Sequence, residues 1–275
     1  ALSIEMRLEG GGRETRELSL AAATTDLRVG TLVFGNDYRH PVVLAKELAT
    51  IDVLSNGRLE VGLGAGWMRT DYEQAGLPYD RPGLRIERLV ESIAVVRGCF
   101  GPDPFSFDGE HYQINNYSGQ PKPVQAQPKL LVGGGGQRML TTAGRLADIV
   151  GVTANLRAGE IGPDAVADSV GTAFDEKLEW VRAGAGDRFD DIELSSLTMN
   201  LQITDDRDAV LAGMAEMFGI DPGAAGDVPM LLIGTTDEIC ETLEARRERW
   251  GFSYPVLQGF DFAAMTDIVG RLAGT

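Results

Sequence analysis

Four successive glycines, Gly133, Gly134, Gly135 and Gly136, separate the apolar run Leu130–Val132 from a segment that takes up helical spacing at Gln137, and Arg138 follows at once. Glycines let a backbone approach an anion closely, and the unpaired amides and positive dipole end of a helix N-terminus attract negative charge. The pattern suits a phosphate, with Arg138 adding a guanidinium contact. The plainer reading is a tight turn with no ligand. A second cluster, Gly64, Ala65, Gly66 and Trp67, ends another apolar alternation and joins a floor of small residues to a large aromatic wall. A planar ring would fit against it; Trp67 serves equally well as packing over the core.

Other chemistries find little support. His40 and His111 are the only histidines, which excludes a three-histidine metal site. His40 precedes Pro41, where a hydrogen-bonding role at a helix start is expected, and His111 has no assigned role. There is no G-x-S-x-G elbow and no cysteine-nucleophile signature. Lys129 lies at the wrong end of its strand for a Schiff-base lyase. Side chains this sparse point to a bound organic cofactor, with the protein binding, orienting and polarising. Cys99 and Cys240 fit neither a disulfide framework nor a metal cluster. With 25 Lys plus Arg against 41 Asp plus Glu, the formal charge of -16 repels nucleic acid and anionic membranes. No basic-then-apolar leader and no apolar stretch of about 18 residues occurs, so neither secretion nor membrane spanning is expected. The expectation is a cytoplasmic protein with a small-molecule substrate.

These residues have to be positioned by strands and helices in alternation. Val29–Phe34 reads as a strand, Pro41–Leu54 as a helix stopped by Ser55, Asn56 and Gly57, and Arg58–Gly64 as a strand, which together make a parallel crossover unit. A helix opens at Pro82. Residues 98–129, rich in Gly and Pro, form a long connection with two short hairpin strands around Phe107 and His111–Ile114. After the strand at Leu130–Val132 come a helix Gln137–Ala147, a strand Asp148–Val152, a helix Ala165–Val181 and a longer strand Leu194–Ile203. A helix Asp208–Phe218, a strand Met230–Ile233, a helix Glu238–Arg249, a strand Ser253–Leu257 and a closing helix Phe262–Leu272 complete the order. Strict alternation predicts an α/β protein with a parallel sheet, a closed barrel or an open doubly wound sheet. Trp67 stands where a dinucleotide fingerprint needs its third glycine, which favours the barrel. At 275 residues one barrel domain over 1–275 is feasible, because such barrels use about 250 residues.

Three blocks carry a resemblance: LRVGTLVFGNDYRHPVVLAKELATIDVLSNGRLEVGLGAGW at Leu27–Trp67, PKPVQAQPKLLVGGGGQRMLTTAGRLADIVGV at Pro121–Val152, and LLIGTTDEICETLEARRERWGFSYPVL at Leu231–Leu257. In this order they resemble the luciferase-like monooxygenase family, especially its actinobacterial coenzyme F420-dependent branch. The resemblance implies a (β/α)8 TIM-barrel-like fold, a homodimer, and an F420- or FMN-dependent oxidoreductase with its coenzyme at the strand ends. The first choice is hydride transfer between the deazaflavin F420 and an organic substrate. The alternatives are FMN-dependent monooxygenation and a non-catalytic flavin-binding barrel. By the same resemblance, coenzyme contacts fall at Leu32, Val33, Phe34, Gly35 and Asn36, at Gly64, Ala65, Gly66 and Trp67, at Gly133, Gly134, Gly135, Gly136 and Arg138, and at Thr153 and Asn155. It also implies a non-proline cis peptide, placed at Leu32-Val33. The opening strand, helix and second strand of such a barrel have no counterpart here. Leu2–Leu8 alone could stand in for one strand, and Gly10–Gly12 is expected to join pieces not adjacent in the natural chain. The family's acid-base histidine belongs to that region, so no catalytic residue is assigned.

Overall fold

The computed structural model describes residues 3–4, 19–258 and 262–274; the segment around Gly10–Gly12 lies outside them. The chain divides into two compact units, Leu8–Val132 and Gly133–Thr275, the latter with Ala1–Arg7. Strand β1 (Ser3–Ile4) belongs to the second unit by this division.

In the first unit β2 (Val29–Gly30) and β3 (Phe34–Gly35) both pair in parallel with one strand, β4 (Leu59–Gly64). Between them lies helix α1 (Pro41–Leu54). Pro41 fills a first-turn position that needs no N–H, and His40 caps the turn by accepting from Val42 N at 3.3 Å. Its stop is the expected one, with Asn56 and Gly57 at φ 56 and 77. Arg58 then ties the preceding chain down by donating to the carbonyls of Ala21, Thr24, Leu27 and Ser55. Helices α2 (Arg69–Ala75) and α3 (Pro82–Phe100) follow, and the antiparallel hairpin β5 (Phe105–Asp108) and β6 (Gln113–Tyr117) fills part of the long connection. Strand β7 (Leu130–Gly134) pairs in parallel with β4 through Leu130, Leu131 and Val132. Both faces of β4 are buried, as a parallel strand covered on two sides requires.

The second unit begins at the end of β7 and continues through α4 (Gln137–Leu146), β8 (Ile149–Val152), α5 (Pro163–Ala167), α6 (Gly171–Ala185) and β9 (Glu193–Leu197). Then come β10 (Asn200–Ile203), α7 (Arg207–Phe218), α8 (Pro222–Ala225), β11 (Leu231–Gly234), α9 (Thr236–Trp250), β12 (Phe252–Leu257) and α10 (Phe262–Leu272). β8 pairs β9, β9 pairs β12 and β12 pairs β1, all in parallel. Leu232, Ile239, Cys240, Leu243, Leu257, Met265 and Ile268 form one apolar cluster beneath α9 and α10. Each of its Leu, Ile and Met side chains contributes roughly 1.5–3 kcal/mol on burial. α9 opens with a reciprocal cap: Glu238 N donates to Thr235 Oγ1 at 3.3 Å while Thr235 N donates to Glu238 Oε2 at 2.8 Å.

Besides the second hairpin strand, which runs Gln113–Tyr117 rather than His111–Ile114, three segments differ from the sequence expectation. The strand over Val29–Phe34 is interrupted at residues 31–33, which leave the ladder. The helix over Ala165–Val181 is two helices, because Lys177 Nζ takes the Asp168 carbonyl at 2.6 Å and the chain turns there. The long strand Leu194–Ile203 is also two: Thr198 N donates to Val256 O, and the next amide, Met199 N, donates to Met230 O, so the chain leaves β12 for β11.

Candidate functional site

The interruption in the first unit explains two glycines. A Cβ on Gly62 would stand 1.7 Å from Thr31 O and 3.1 Å from Val33 Cγ1, and one on Gly64 would stand 2.6 Å from Val33 Cγ2. The Thr31–Val33 segment therefore lies against the Gly62 and Gly64 positions of β4, which carry no side chains, and Thr31 Oγ1 donates to Gly62 O at 3.2 Å. The Leu32-Val33 peptide is cis, at the bond the resemblance indicated. Phe34 and Asn36 are buried beyond it, and a Cβ on Gly35 would meet the Tyr38 ring at 2.8 Å.

Around Asn36 and Asp37 a polar cluster forms that sequence reading missed. Arg88, from α3, donates Nε to Asp37 Oδ1 at 3.0 Å and Nη2 to Asp37 Oδ2 at 2.8 Å, and Nη1 to Asp80 at 2.6 Å. The Tyr72 hydroxyl donates to Asp37 Oδ2 at 3.0 Å. Burial works against the Arg88 charge, but Asp37 and Asp80 outweigh it and the guanidinium is held more firmly protonated than usual. Burial first, then the Asp37 carboxylate, push the Tyr72 phenol well above its ordinary range. The same cluster grips the Ala65–Trp67 loop by its carbonyls: Arg85 Nη1 donates to Gly66 O at 3.0 Å, Tyr79 Oη to Trp67 O at 2.8 Å, and Tyr72 Oη lies 3.3 Å from Ala65 O. Gly66, at φ 73, leaves no space for a side chain beside the Tyr72 hydroxyl. The signal for this cluster was present in the spacing of Arg85, Arg88, Tyr72 and Tyr79, but nothing local ties those residues to Asp37.

In the second unit the glycine run behaves differently along its length. A Cβ on Gly134 would meet Met139 Cγ at 2.4 Å, and one on Gly135 would lie 2.2 Å from the Ala154 carbonyl. Those two glycines are required by the chain's own packing. Gly136 is the N-cap of α4, in extended conformation, and among the described residues no side-chain cap hydrogen bond is made to that first turn. Arg138 is exposed at the same turn. Beside it, Thr153 N donates to Gly134 O at 3.0 Å, and Asn155 N donates to Asp168 Oδ2 at 2.7 Å. Asp168 is also the partner of Lys177, at 2.6 Å, whose side chain is wholly buried. Burial lowers the Lys177 pKa, and Asp168 offsets part of that shift. The glycine turn and the Thr153–Asn155 segment lie side by side, with Lys177 and Asp168 as unforeseen supports.

The chain matches the sequence model of the luciferase-like monooxygenase family over residues 18–218. It belongs to that family. An FMNH(2)-dependent dimethylsulfone monooxygenase of Pseudomonas fluorescens is 35% identical over 130 residues, 47% of this chain and 35% of that protein. An uncharacterised protein of Mycobacterium tuberculosis is 35% identical over 116 residues, 42% of this chain and 40% of that protein. Each match thus spans less than half of the relative. Among solved structures, the coenzyme F420 dependent tetrahydromethanopterin reductase of Methanopyrus kandleri is similar at a TM-score of 0.76 with 20% identity, over 98% of this chain and 88% of that one. The fold is therefore the luciferase-like α/β type of TIM-barrel character. Among the described residues of this luciferase-like chain, no group of three or more His, Cys, Asp or Glu is placed to hold a metal ion, and no helix is long and apolar enough to cross a membrane.

Proposed function

We propose that this luciferase-like chain is the coenzyme-binding part of an oxidoreductase that transfers a hydride between coenzyme F420 and an organic substrate. The observation that carries the reading is the run Gly133–Gly136 leading directly into the first turn of α4, whose N-cap, Gly136, makes no side-chain cap hydrogen bond. Amides there, with the helix dipole, suit the phosphate of a flavin-type coenzyme, and Arg138 adds charge. Leu32, Val33, Phe34, Gly35 and Asn36, with Gly64, Ala65, Gly66 and Trp67, are proposed for the ring, and Thr153 and Asn155 for the segment beside the phosphate. The buried Asn36 Oδ1, without a hydrogen-bond partner among the described residues, fits a ring or ribityl donor. When bound, the coenzyme supplies the hydride chemistry. The chain's own residues fix the reacting partners in place, and good alignment lowers such barriers by roughly 7–11 kcal/mol.

A second reading keeps the site and takes reduced FMN with oxygen, as in a monooxygenase; the 35% identity to an FMNH(2)-dependent relative favours it. A carrier without catalysis is a third, since no acid-base residue is assigned. Fluorescence quenching with oxidised F420 and FMN, added separately, tests all three. Submicromolar F420 binding followed by hydride transfer in a single-turnover assay is the expected result. FMN binding alone overturns the coenzyme choice, and binding of neither overturns the reading. The proposed homodimer is checked by sedimentation, the proposed cytoplasmic location by fractionation. The proposed single barrel domain over 1–275 predicts one calorimetric unfolding transition; two resolved transitions would contradict it.

A further inference from the structure

We propose that Glu91 is a positioning residue for the Asn36 side chain and acts through Tyr112. Glu91 projects from the middle of α3, and the turn between β5 and β6 is wrapped on its carboxylate. Glu110 N donates to Oε1 at 2.8 Å, His111 N to Oε2 at 2.9 Å and Tyr112 N to Oε2 at 3.0 Å, while Gly109 N closes the turn onto Tyr112 O at 3.0 Å. A Cβ on Gly109 would stand 2.3 Å from Glu91 Oε2, so only glycine lets the turn come so close. Bonds to an ionised acceptor are roughly twice as strong as neutral ones. A single side chain on a rigid helix thereby fixes a turn within the long Gly- and Pro-rich connection.

The turn carries Tyr112 to Asn36. Asn36 Nδ2 donates to Tyr112 Oη at 3.2 Å, and the Tyr112 ring stands edge-on to His40 at 5.6 Å between centroids. Asn36 is 1% exposed, and its Nδ2 also lies 3.4 Å from Asp37 Oδ1. Asp37 accepts here on both oxygens, from Arg88 Nε and Nη2 and from the Tyr72 hydroxyl. Turning the Asn36 amide over would set its oxygen against that carboxylate. The amide NH2 must therefore face Asp37 and Tyr112, and Oδ1 must face away from both. Oδ1 has no partner among the described residues. Under the proposed function, on which this step rests, the donor that Oδ1 lacks is supplied by an N–H or O–H group of the coenzyme.

The test uses the full chain, labelled with 15N and free of coenzyme, in which the Asn36 side-chain NH2 signals are read by NMR. Glu91→Gln replaces one of the two carboxylate oxygens with an NH2 that opposes at least one of the three N–H groups and removes the charge from the others' acceptor, and Tyr112→Phe removes the hydroxyl. Both variants are expected to move the Asn36 signals in the same direction. Each is also expected to weaken binding of oxidised F420 or FMN by about tenfold, the equivalent of one hydrogen bond of ~1.4 kcal/mol. The double variant should bind no worse than Tyr112→Phe alone, because the two residues act in series. Glu110→Ala, a change to an exposed neighbour, should leave both readouts unchanged. If Glu91→Gln does not fold, Gly109→Ala pushes the turn off the carboxylate and is expected to give the same shifts. Unmoved Asn36 signals in a folded Glu91→Gln or Gly109→Ala protein would overturn the proposal, as would additive losses in the double variant. Should the wild type bind neither coenzyme, the oxidoreductase reading fails, and the Asn36 signals alone still decide the role of Glu91.

Discussion

Replacing Gly62 by alanine tests whether the glycine face of β4 exists to receive the Thr31–Val33 segment. The added Cβ would stand 1.7 Å from Thr31 O, 2.9 Å from Thr31 C and 3.1 Å from Val33 Cγ1. Non-bonded atoms attract only near 3.5 Å, so the Thr31 carbonyl must retreat by more than about 1 Å. It is a backbone atom and cannot rotate away as a side chain would. Overpacking of this kind costs about 1–3 kcal/mol, and a backbone clash belongs at the upper end. Restricting the unfolded chain returns about 0.4–1 kcal/mol. The net expectation is a loss of about 2 kcal/mol, which lowers Tm by roughly 4–8 °C in a chain of this size. Gly213 supplies the contrast. It lies inside α7 with nothing within 4 Å of its would-be Cβ, so Gly213→Ala should stabilise by about 0.5–1 kcal/mol. Calorimetry and urea unfolding of both variants read the opposite signs. A Gly62→Ala protein that melts at or above the wild-type temperature refutes the assignment of that face to internal packing.

Further outcomes follow from the polar groups. Gly136→Asp places a carboxylate at an N-cap already in extended conformation, with only the Asn155 side chain, 3.3 Å away, needing to give; stability should change by a few tenths of a kcal/mol while coenzyme affinity falls at least about tenfold, and intact binding would remove the phosphate from that turn. Arg88→Met leaves Asp37, 8% exposed, with the Tyr72 hydroxyl in place of a cation; a loss of about 3 kcal/mol in urea unfolding is expected, and one below about 1 kcal/mol would show that the pair is solvated. For Glu91, burial alone would raise the carboxyl pKa, but the amides of His111, Glu110 and Tyr112 outweigh it and the group titrates below its ordinary 4.5. A folded pKa below the unfolded one means a contribution present above pH 4.5 and lost as pH falls through the lowered value. Hydrogen exchange at residues 110–112, taken relative to intrinsic rates, should therefore lose protection in acid in the wild type and show no such step in Glu91→Gln.

Local signals made most elements legible. Pro41 and the Asn56-Gly57 pair bound α1 at both ends, and the boundaries of α10 coincide with its apolar spacing. What failed was decided by distant partners. Nothing near Asp168 announces that Lys177 and Asn155 will converge on it and split a helical stretch, and nothing near Thr198 announces that Val256 and Met230 lie on either side of the change of strand partner. The capped start of α9 one turn before its apolar residues was readable in Thr235 and Glu238, which have the spacing of a capping box.

The glycines show the limit most clearly. A glycine needed because a ligand comes close and one needed because another strand comes close leave the same letter in a sequence. The atoms that a Cβ would meet separate them. At Gly62, Gly64, Gly134 and Gly135 those atoms belong to the chain itself: Thr31, Val33, Met139 and Ala154. At Gly136 the nearest is the side-chain amide of Asn155 at 3.3 Å, a group that can move, at a helix turn whose N-cap makes no side-chain hydrogen bond. Of the four glycines that read as one phosphate cradle, two therefore build the turn, and the proposed anion contact falls to the start of α4. That division predicts different failures. Gly135→Ala should unfold or distort the turn, whereas a charge change at Gly136 should spare the fold and remove the anion.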